Sequence, residues 1–123
     1  MNNLASILGL KPGMTTYFAH APAEYFDLLG HRTYTHRPDE DGTYQFIHAF
    51  FTEKDQLEAS FGIFASKLAD DGIFWVSIPI STLEIDKDLI YSLAKQNFLS
   101  PALKTEFADW QAYQFVVTAG TGA

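Results

Sequence analysis

Hydrophobic positions follow two different periods along this chain, and the period changes where turn-forming residues intervene. One apolar set at helical spacing consists of Leu57, Phe61, Phe64 and Leu68. Steps of four, three and four residues place these side chains on one face and predict a helix. Runs of β-branched and aromatic residues instead predict strands. These runs are residues 15–19, 44–51, 73–80, 103–107 and 112–117, with a weaker candidate at 33–37.

Capping and turn residues mark the ends of the predicted elements. A first helix is expected between Asn3 and Gly9, and a second over residues 23–29, with Pro22 at its first position and Gly30 as its cap. Thr52, three residues before Asp55, resembles a capping box at the start of the third helix. Asp86 is expected to cap a fourth helix that ends near Asn97. Turns are predicted at residues 71–72 and 109–110.

The order of these elements predicts an α/β fold. Strands that alternate with helices favour a three-layer sandwich with a mostly parallel sheet, closed here by a C-terminal antiparallel hairpin. The run 73–80 is almost continuously apolar, as a strand covered on both faces must be. The chain has 123 residues, and we expect a single domain over residues 1–118 with a flexible tail at 119–123.

Composition narrows the classes of function. The sequence has 15 Asp and Glu against 8 Lys and Arg, a net charge of −7, which argues against nucleic acid as a partner. It has no cysteine, which excludes disulfides, zinc–thiolate sites and cysteine nucleophiles. We find no secretory signal and no apolar run of the ~20 residues that a membrane helix needs. A cytoplasmic protein without a membrane partner is therefore expected.

Four short motifs, in this order and spacing, resemble the DUF3052 family of small bacterial proteins of uncharacterised function. They are LGLKPG at 8–13, DGIFWVS at 71–77, DKDLI at 86–90 and WQAYQFV at 110–116. The likeness covers residues 4–117. More distantly, the layout is similar to a shortened class I S-adenosylmethionine (SAM) methyltransferase, which implies a Rossmann-like fold.

In that larger family, a glycine-rich loop after the first strand holds SAM, because glycine lets the backbone approach the cofactor closely. The matching residues here, 17–24, contain no glycine, and Pro22 lacks an N–H that could point at a ligand. The acidic residue that binds the ribose has no secure match, Asp39 being the nearest. We therefore interpret the chain as having lost the SAM site and expect no cofactor.

Ligands of open α/β sheets bind beyond the carboxyl ends of the strands. The residues expected there are His20, Thr52 and Ser81. An imidazole at position 20 could serve as an acid, a base or an anion donor. The alternative is a loop histidine bonded to a carbonyl or to Glu24, and it is favoured because no nucleophile stands at a recognisable spacing. Thr52 is read more simply as a helix cap. No catalytic residue is assigned.

Three other polar sites have ordinary structural interpretations. His31 and His36, followed by acidic residues at 39–41, could suggest a metal site, but their spacing matches no ligand motif and favours a solvated loop. No metal is therefore expected. Ser77 lies inside a strand without the elbow that exposes a catalytic serine, and is interpreted as a core hydroxyl. His48 is expected to be an interior or half-buried histidine with a hydrogen bond.

Aromatic residues are unusually frequent, with 11 Phe, 6 Tyr and 2 Trp. Two alternatives stay open: a crowded aromatic core, or an aromatic groove or oligomer contact in which Trp110 and Tyr113 are the interface candidates. The leading hypothesis is a non-catalytic binding or regulatory module that contacts a second copy of itself or another protein. The second is a small-molecule-binding domain or enzyme, of unknown ligand, that uses the cleft near His20. The third is a residual SAM-dependent methyltransferase.

Overall fold

The computed structural model describes residues 4–11, 13–29, 42–82 and 85–117. Within these ranges the chain forms four helices and one five-stranded sheet. In chain order they are α1 (Leu4–Leu8), β1 (Thr16–Ala19), α2 (Ala23–Leu29), β2 (Tyr44–Phe50), α3 (Lys54–Ala65), β3 (Leu68–Pro79), α4 (Lys87–Gln96), β4 (Leu99–Phe107) and β5 (Trp110–Val117).

The strands lie in the order β1-β2-β3-β5-β4. β1, β2 and β3 are parallel, β5 is antiparallel to β3, and β4 is antiparallel to β5. β4 therefore runs in the same direction as the first three strands. The predicted mostly parallel α/β sheet is confirmed. The sheet is open rather than closed, and the C-terminal hairpin forms one end of it.

Both faces of the sheet are covered, because alternate strand residues enter two separate apolar clusters. Ile47, Phe74 and Val76 belong to the cluster that includes the buried residues of α3 and α4. Phe46 and Trp75 belong to the other cluster, with residues of α1 and α2. This arrangement is the predicted three-layer sandwich.

Helix α1 is fixed to the sheet by a hydrogen bond as well as by apolar contact. The indole Nε1–H of Trp75 donates to the carbonyl oxygen of Leu8 over 2.8 Å, and both side chains are fully buried. Gly9 follows with φ +79°, the left-handed conformation that terminates helices, as its position predicts. The bond satisfies one of the carbonyls that the end of a helix leaves without a partner.

The junction between α3 and β3 differs from the prediction. Helix α3 ends at Ala65, so Leu68 is the first residue of β3 and not the last of the helix. It is still buried in the same apolar cluster. Residues 69–72 stand out of register, since Leu68 pairs with Tyr44 and Ile73 with Phe46. This bulge takes the place of the predicted turn at residues 71–72. A Cβ on Gly72 would lie 2.9 Å from the carbonyl oxygen of Ala69 and 2.7 Å from Cδ1 of Leu68, so a larger residue there would force the backbone to shift.

Two other local predictions were wrong and one is confirmed. Thr52 is not the cap of α3: Glu53 occupies the N-cap position and makes no side-chain bond there. The last turn comprises Ala108 and Asp109, and Trp110 already belongs to β5. Asp86 does cap α4, because its Oδ1 accepts a hydrogen bond from the Leu89 amide over 2.9 Å.

Several predictions concern residues outside the described ranges. These are the candidate strand at 33–37, the Gly30 cap, the polar group around His31, His36 and Asp39, and the tail at 119–123. Among the residues that the structure describes, no three His, Asp or Glu side chains converge as a metal site would require. In the same residues, no helix is long and apolar enough to cross a membrane.

Candidate functional site

The three cleft candidates lie at one edge of the sheet. His20 directly follows β1, Thr52 follows β2 by two residues, and Ser81 follows β3 by two residues. The strands are parallel and in step, with Ala19 beside Ala49 and Phe50 beside Ser77, so their carboxyl ends form a common edge. All three side chains are exposed. This edge is where open α/β sheets bind ligands.

The connection from β1 to α2 is short and has an unusual backbone. It consists of His20, Ala21 and Pro22, and the carbonyl of Pro22 accepts a hydrogen bond from the Tyr25 amide over 3.1 Å. His20 has φ +58°, in the left-handed region that glycine normally occupies. A non-glycine residue in this conformation carries strain, which proteins often retain at functional positions.

A second polar group is hidden inside the molecule, between the sheet and α2. The Nδ1 atom of His48 lies 2.8 Å from the hydroxyl of Tyr25, and its Nε2 atom lies 2.5 Å from the hydroxyl of Ser77. All three residues are fully buried. The predictions of an interior, hydrogen-bonded His48 and of a core hydroxyl at Ser77 are confirmed.

This chain of three side chains satisfies both nitrogens of a neutral imidazole. In one tautomer Nδ1–H donates to Tyr25 and the Ser77 hydroxyl donates to Nε2, and in the other tautomer both donors reverse. Burial lowers the pKa of His48 well below its usual value, because an imidazolium would lose its hydration there. The buried histidine is therefore neutral at physiological pH.

Aromatic rings enclose this polar chain. The ring of His48 stacks on Phe50 at a centroid distance of 4.3 Å and meets Tyr25 edge-on at 4.8 Å. Phe107 packs at 6.0 Å from the imidazole and Trp75 at 6.2 Å. Ser77 and His48 resemble a nucleophile and its base by distance, but a substrate has no access to groups that are completely enclosed. The three side chains form a buried polar chain within the described core.

The link between Tyr25, His48 and Ser77 was not predicted, although the sequence holds a signal for it. His48 and Ser77 are the polar residues of the otherwise apolar runs 46–51 and 73–80, and each precedes the end of its strand by two residues. In the register of these parallel strands His48 pairs with Trp75 and Phe50 with Ser77, so His48 and Ser77 are diagonal neighbours on one face. No sequence pattern predicts that Tyr25 joins them, because the hydrogen-bond partner of its hydroxyl depends on how α2 packs against the sheet.

The two aromatic interface candidates, Trp110 and Tyr113, differ in burial. Tyr113 is 2% exposed, and its hydroxyl donates to Oε1 of Gln111 over 2.8 Å. Burial raises its pKa, with further increases from Tyr91 and Glu106. Trp110 is half-buried and packs edge-on against Phe50 at 4.9 Å. Of the two interface candidates, only Trp110 retains appreciable surface.

Comparison with known proteins places this architecture among the methyltransferase-like folds. No protein family model matches the chain, and no curated protein sequence matches it. Solved structures do match it. A ribosomal protein L11 methylase from Lactobacillus delbrueckii subsp. bulgaricus is 22% identical, with a TM-score of 0.50 over 93% of this chain and 62% of that one. This chain thus spans less than two thirds of that methylase.

For two further similar structures, the match with this chain covers a larger share of the other protein. The magnesium protoporphyrin IX methyltransferase from Synechocystis PCC 6803, solved with bound SAH, is 13% identical, with a TM-score of 0.58 over 87% of this chain and 75% of that one. A SAM-dependent methyltransferase from Clostridium acetobutylicum ATCC 824 is 10% identical, with a TM-score of 0.52 over 90% and 77%. At these identities the likeness shows the fold alone. The chain has a methyltransferase-like, Rossmann-like α/β fold.

The residues after β1 do not fit SAM as that fold would hold it. A cofactor loop needs a backbone without side chains and with free amides directed at the ligand. Here each residue from His20 to Ala23 carries a Cβ, and Pro22 has no N–H. The position with a left-handed backbone, where glycine would admit a ligand, holds an imidazole.

Proposed function

We propose that this protein is a non-catalytic binding or regulatory module, built on a methyltransferase-like scaffold, whose partner is a protein chain. One observation carries the proposal: the loop that binds the cofactor in such folds is replaced by His20, Ala21 and Pro22. Loss of close backbone approach and of an amide donor removes the contacts on which SAM binding depends.

The buried polar chain gives a second line of support. His48 and Ser77 are the pair in the described core with the distance expected of a base and a nucleophile, and both are fully buried. General base catalysis requires the base to reach the proton that it abstracts. A site sealed by aromatic rings does not offer that contact.

The test is calorimetric titration of the purified chain with SAM and separately with S-adenosylhomocysteine, run beside thermal unfolding in about 1 mM of each compound. We expect no saturable heat and no rise in melting temperature, since a ligand stabilises only the state that binds it. Saturable binding of either compound would overturn the proposal and favour a residual SAM-dependent methyltransferase.

A second candidate function is a small-molecule-binding domain or enzyme at the carboxyl edge of the sheet. It is favoured by the strained backbone of His20 and by the common edge that His20 shares with Thr52 and Ser81. NMR titration with adenosine and with inorganic phosphate tests it. Shifts confined to this edge in the parent and lost in His20→Asn would support it, because Asn tolerates the left-handed backbone and leaves the fold intact.

Membership of the DUF3052 family and a cytoplasmic location remain predictions of the sequence. The net charge of −7 continues to argue against nucleic acid as a partner.

A further inference from the structure

We propose that β4 is a self-recognition edge, along which two copies of this chain pair antiparallel about Thr105 and form one continuous sheet. The inference rests on the proposed function, because it names the protein partner of the module as a second copy. It arises from the backbone geometry, the exposure and the charge pattern of the β4–β5 hairpin.

β4 lies at the end of the sheet, and among the described residues it pairs with β5 alone. Its central residues, from Pro101 to Lys104, are exposed, and Leu103 retains 59% of its surface. An edge strand of this kind presents backbone donors and acceptors to any strand that approaches it. Pro101 has no N–H, and the ladder with β5 shifts register between Pro101 and Lys104, so regular pairing extends from Lys104 towards the turn.

The geometry of the β4–β5 hairpin determines which backbone N–H and C=O groups of β4 point towards the free edge of the sheet. Phe107 pairs with Trp110 across the two-residue turn, and such flanking residues exchange hydrogen bonds with each other. The alternation continues along the ladder, so Thr105 also bonds to β5. The N–H and C=O groups of Lys104 and Glu106 consequently point away from β5, towards the free edge.

The charges then select one register. If the two-fold axis passes through Thr105, Lys104 of each copy lies opposite Glu106 of the other, and both pairs use outward-facing backbone groups. Centring the axis on Lys104 or on Glu106 would place identical charges opposite each other, which destabilises a strand pair. The self-complementary register is thus the one that both backbone and charge favour.

Side chains on the two faces of β4 agree with this register. Lys104 and Glu106 lie on one face, near Tyr113: the ammonium of Lys104 is 5.5 Å from the ring centroid of Tyr113. On the other face Phe107 packs against the inner aromatic cluster, and the exposed Leu103 directly precedes the regular segment that begins at Lys104, where a second copy would lie beside it. Pairing therefore covers an apolar side chain that is open to water in the single chain.

Sedimentation velocity over about 5 µM to about 1 mM tests the proposal, because one strand pair buries less surface than a stable interface and predicts weak association. We expect a dimer whose share grows with concentration. Lys104→Glu and Glu106→Lys should each weaken association about tenfold or more, and the two substitutions together should restore it. Lys87→Glu, the same charge change on α4, should leave it unchanged.

Thr105→Cys tests the register directly, since the parent chain has no cysteine. Thr105 lies on the axis, so the two thiols would face each other and form a disulfide under mild oxidation. The control is Ser92→Cys, at an exposed position of α4, in which the disulfide should form much more slowly.

A monomer at about 1 mM, equal cross-linking of the two variants, or failure of the double charge swap to restore association would each overturn the proposal. A monomer that does not bind SAM would contradict the pairing of β4 edges but would agree with the proposed loss of the SAM site. A dimer that binds SAM would agree with the pairing of β4 edges but would contradict the proposed loss of the SAM site.

Discussion

His48 is the residue whose protonation should govern the response of this protein to acid. Burial lowers its pKa in the folded chain, while the unfolded chain keeps a value near 6.5. Below pH 6.5 the imidazole of His48 therefore binds a proton in the unfolded state but stays neutral in the folded state. The free energy of unfolding should fall as the pH decreases from 6.5, by up to about 1.4 kcal/mol per pH unit.

Urea unfolding at a series of pH values between 5 and 7 checks this expectation, with His48→Leu as the informative variant. It should be less stable overall, because the hydroxyls of Tyr25 and Ser77 lose their hydrogen bonds to the imidazole, but its unfolding free energy should decline less steeply in this range. His20→Gln, at an exposed histidine, is the matched control and should keep the slope of the parent. Equal slopes in the parent and in His48→Leu would contradict the interpretation.

At the scale of elements, α3 and α4 begin in contrasting ways. Asp86 caps α4 with its side chain, whereas Glu53 at the same position of α3 makes no such bond. Asp86→Ala should therefore cost about 1 kcal/mol, and Glu53→Asp should add about 0.5–1 kcal/mol. Chemical denaturation measures both effects. Glu53→Ala is the control, and it should change the free energy of unfolding by less than about 0.5 kcal/mol. A larger loss would show that the side chain of Glu53 does cap α3.

The end of α4 carries a strained aromatic residue. Phe98 has φ +61° and is 68% exposed, at a position that favours glycine. Phe98→Gly should be more stable than Phe98→Ala by about 1 kcal/mol, since both variants remove the ring and only glycine relieves the backbone. Thermal unfolding of the two variants makes the comparison, and equal melting temperatures would show that this backbone is not strained.

At the scale of the whole molecule, one sheet is shared by two apolar layers. Trp75 and Trp110 both report on the layer of α1 and α2, whereas α3 and α4 contribute most of the helical circular dichroism. Because removal of either layer exposes the same strands, both signals should follow a single unfolding transition.

A core substitution in the opposite layer tests this coupling. Leu57→Ala removes a fully buried side chain of α3 and should destabilise the chain by about 2–5 kcal/mol, shifting the tryptophan signal and the circular dichroism together. Ile63→Ala, in the same helix but 56% exposed, should shift neither signal appreciably. Separate midpoints for the two signals would show that the layers unfold independently.

The helices and strands could be predicted from the sequence where the side chains of neighbouring residues determine their bounds. The helix cap of Asp86, the termination of α1 at Gly9 and the apolar run of β3 follow from side-chain type and spacing, and the structure confirms each. The end of α3 was not predictable, because Leu68 fits the helical spacing and is buried in the same layer from either element. Periodicity alone does not distinguish a last helical turn from the first residue of a strand.

The sequence by itself determined the α/β class, the covered strands and the glycine-free loop after β1, because backbone preferences and hydrophobic spacing act within short stretches of chain. Only the tertiary structure decided the strand order, the meeting of Tyr25 with His48 and Ser77, the burial of Tyr113 and the charge pattern presented by the free edge of β4. Those features join residues far apart in sequence, and they depend on how helices dock and strands align, which no local preference encodes.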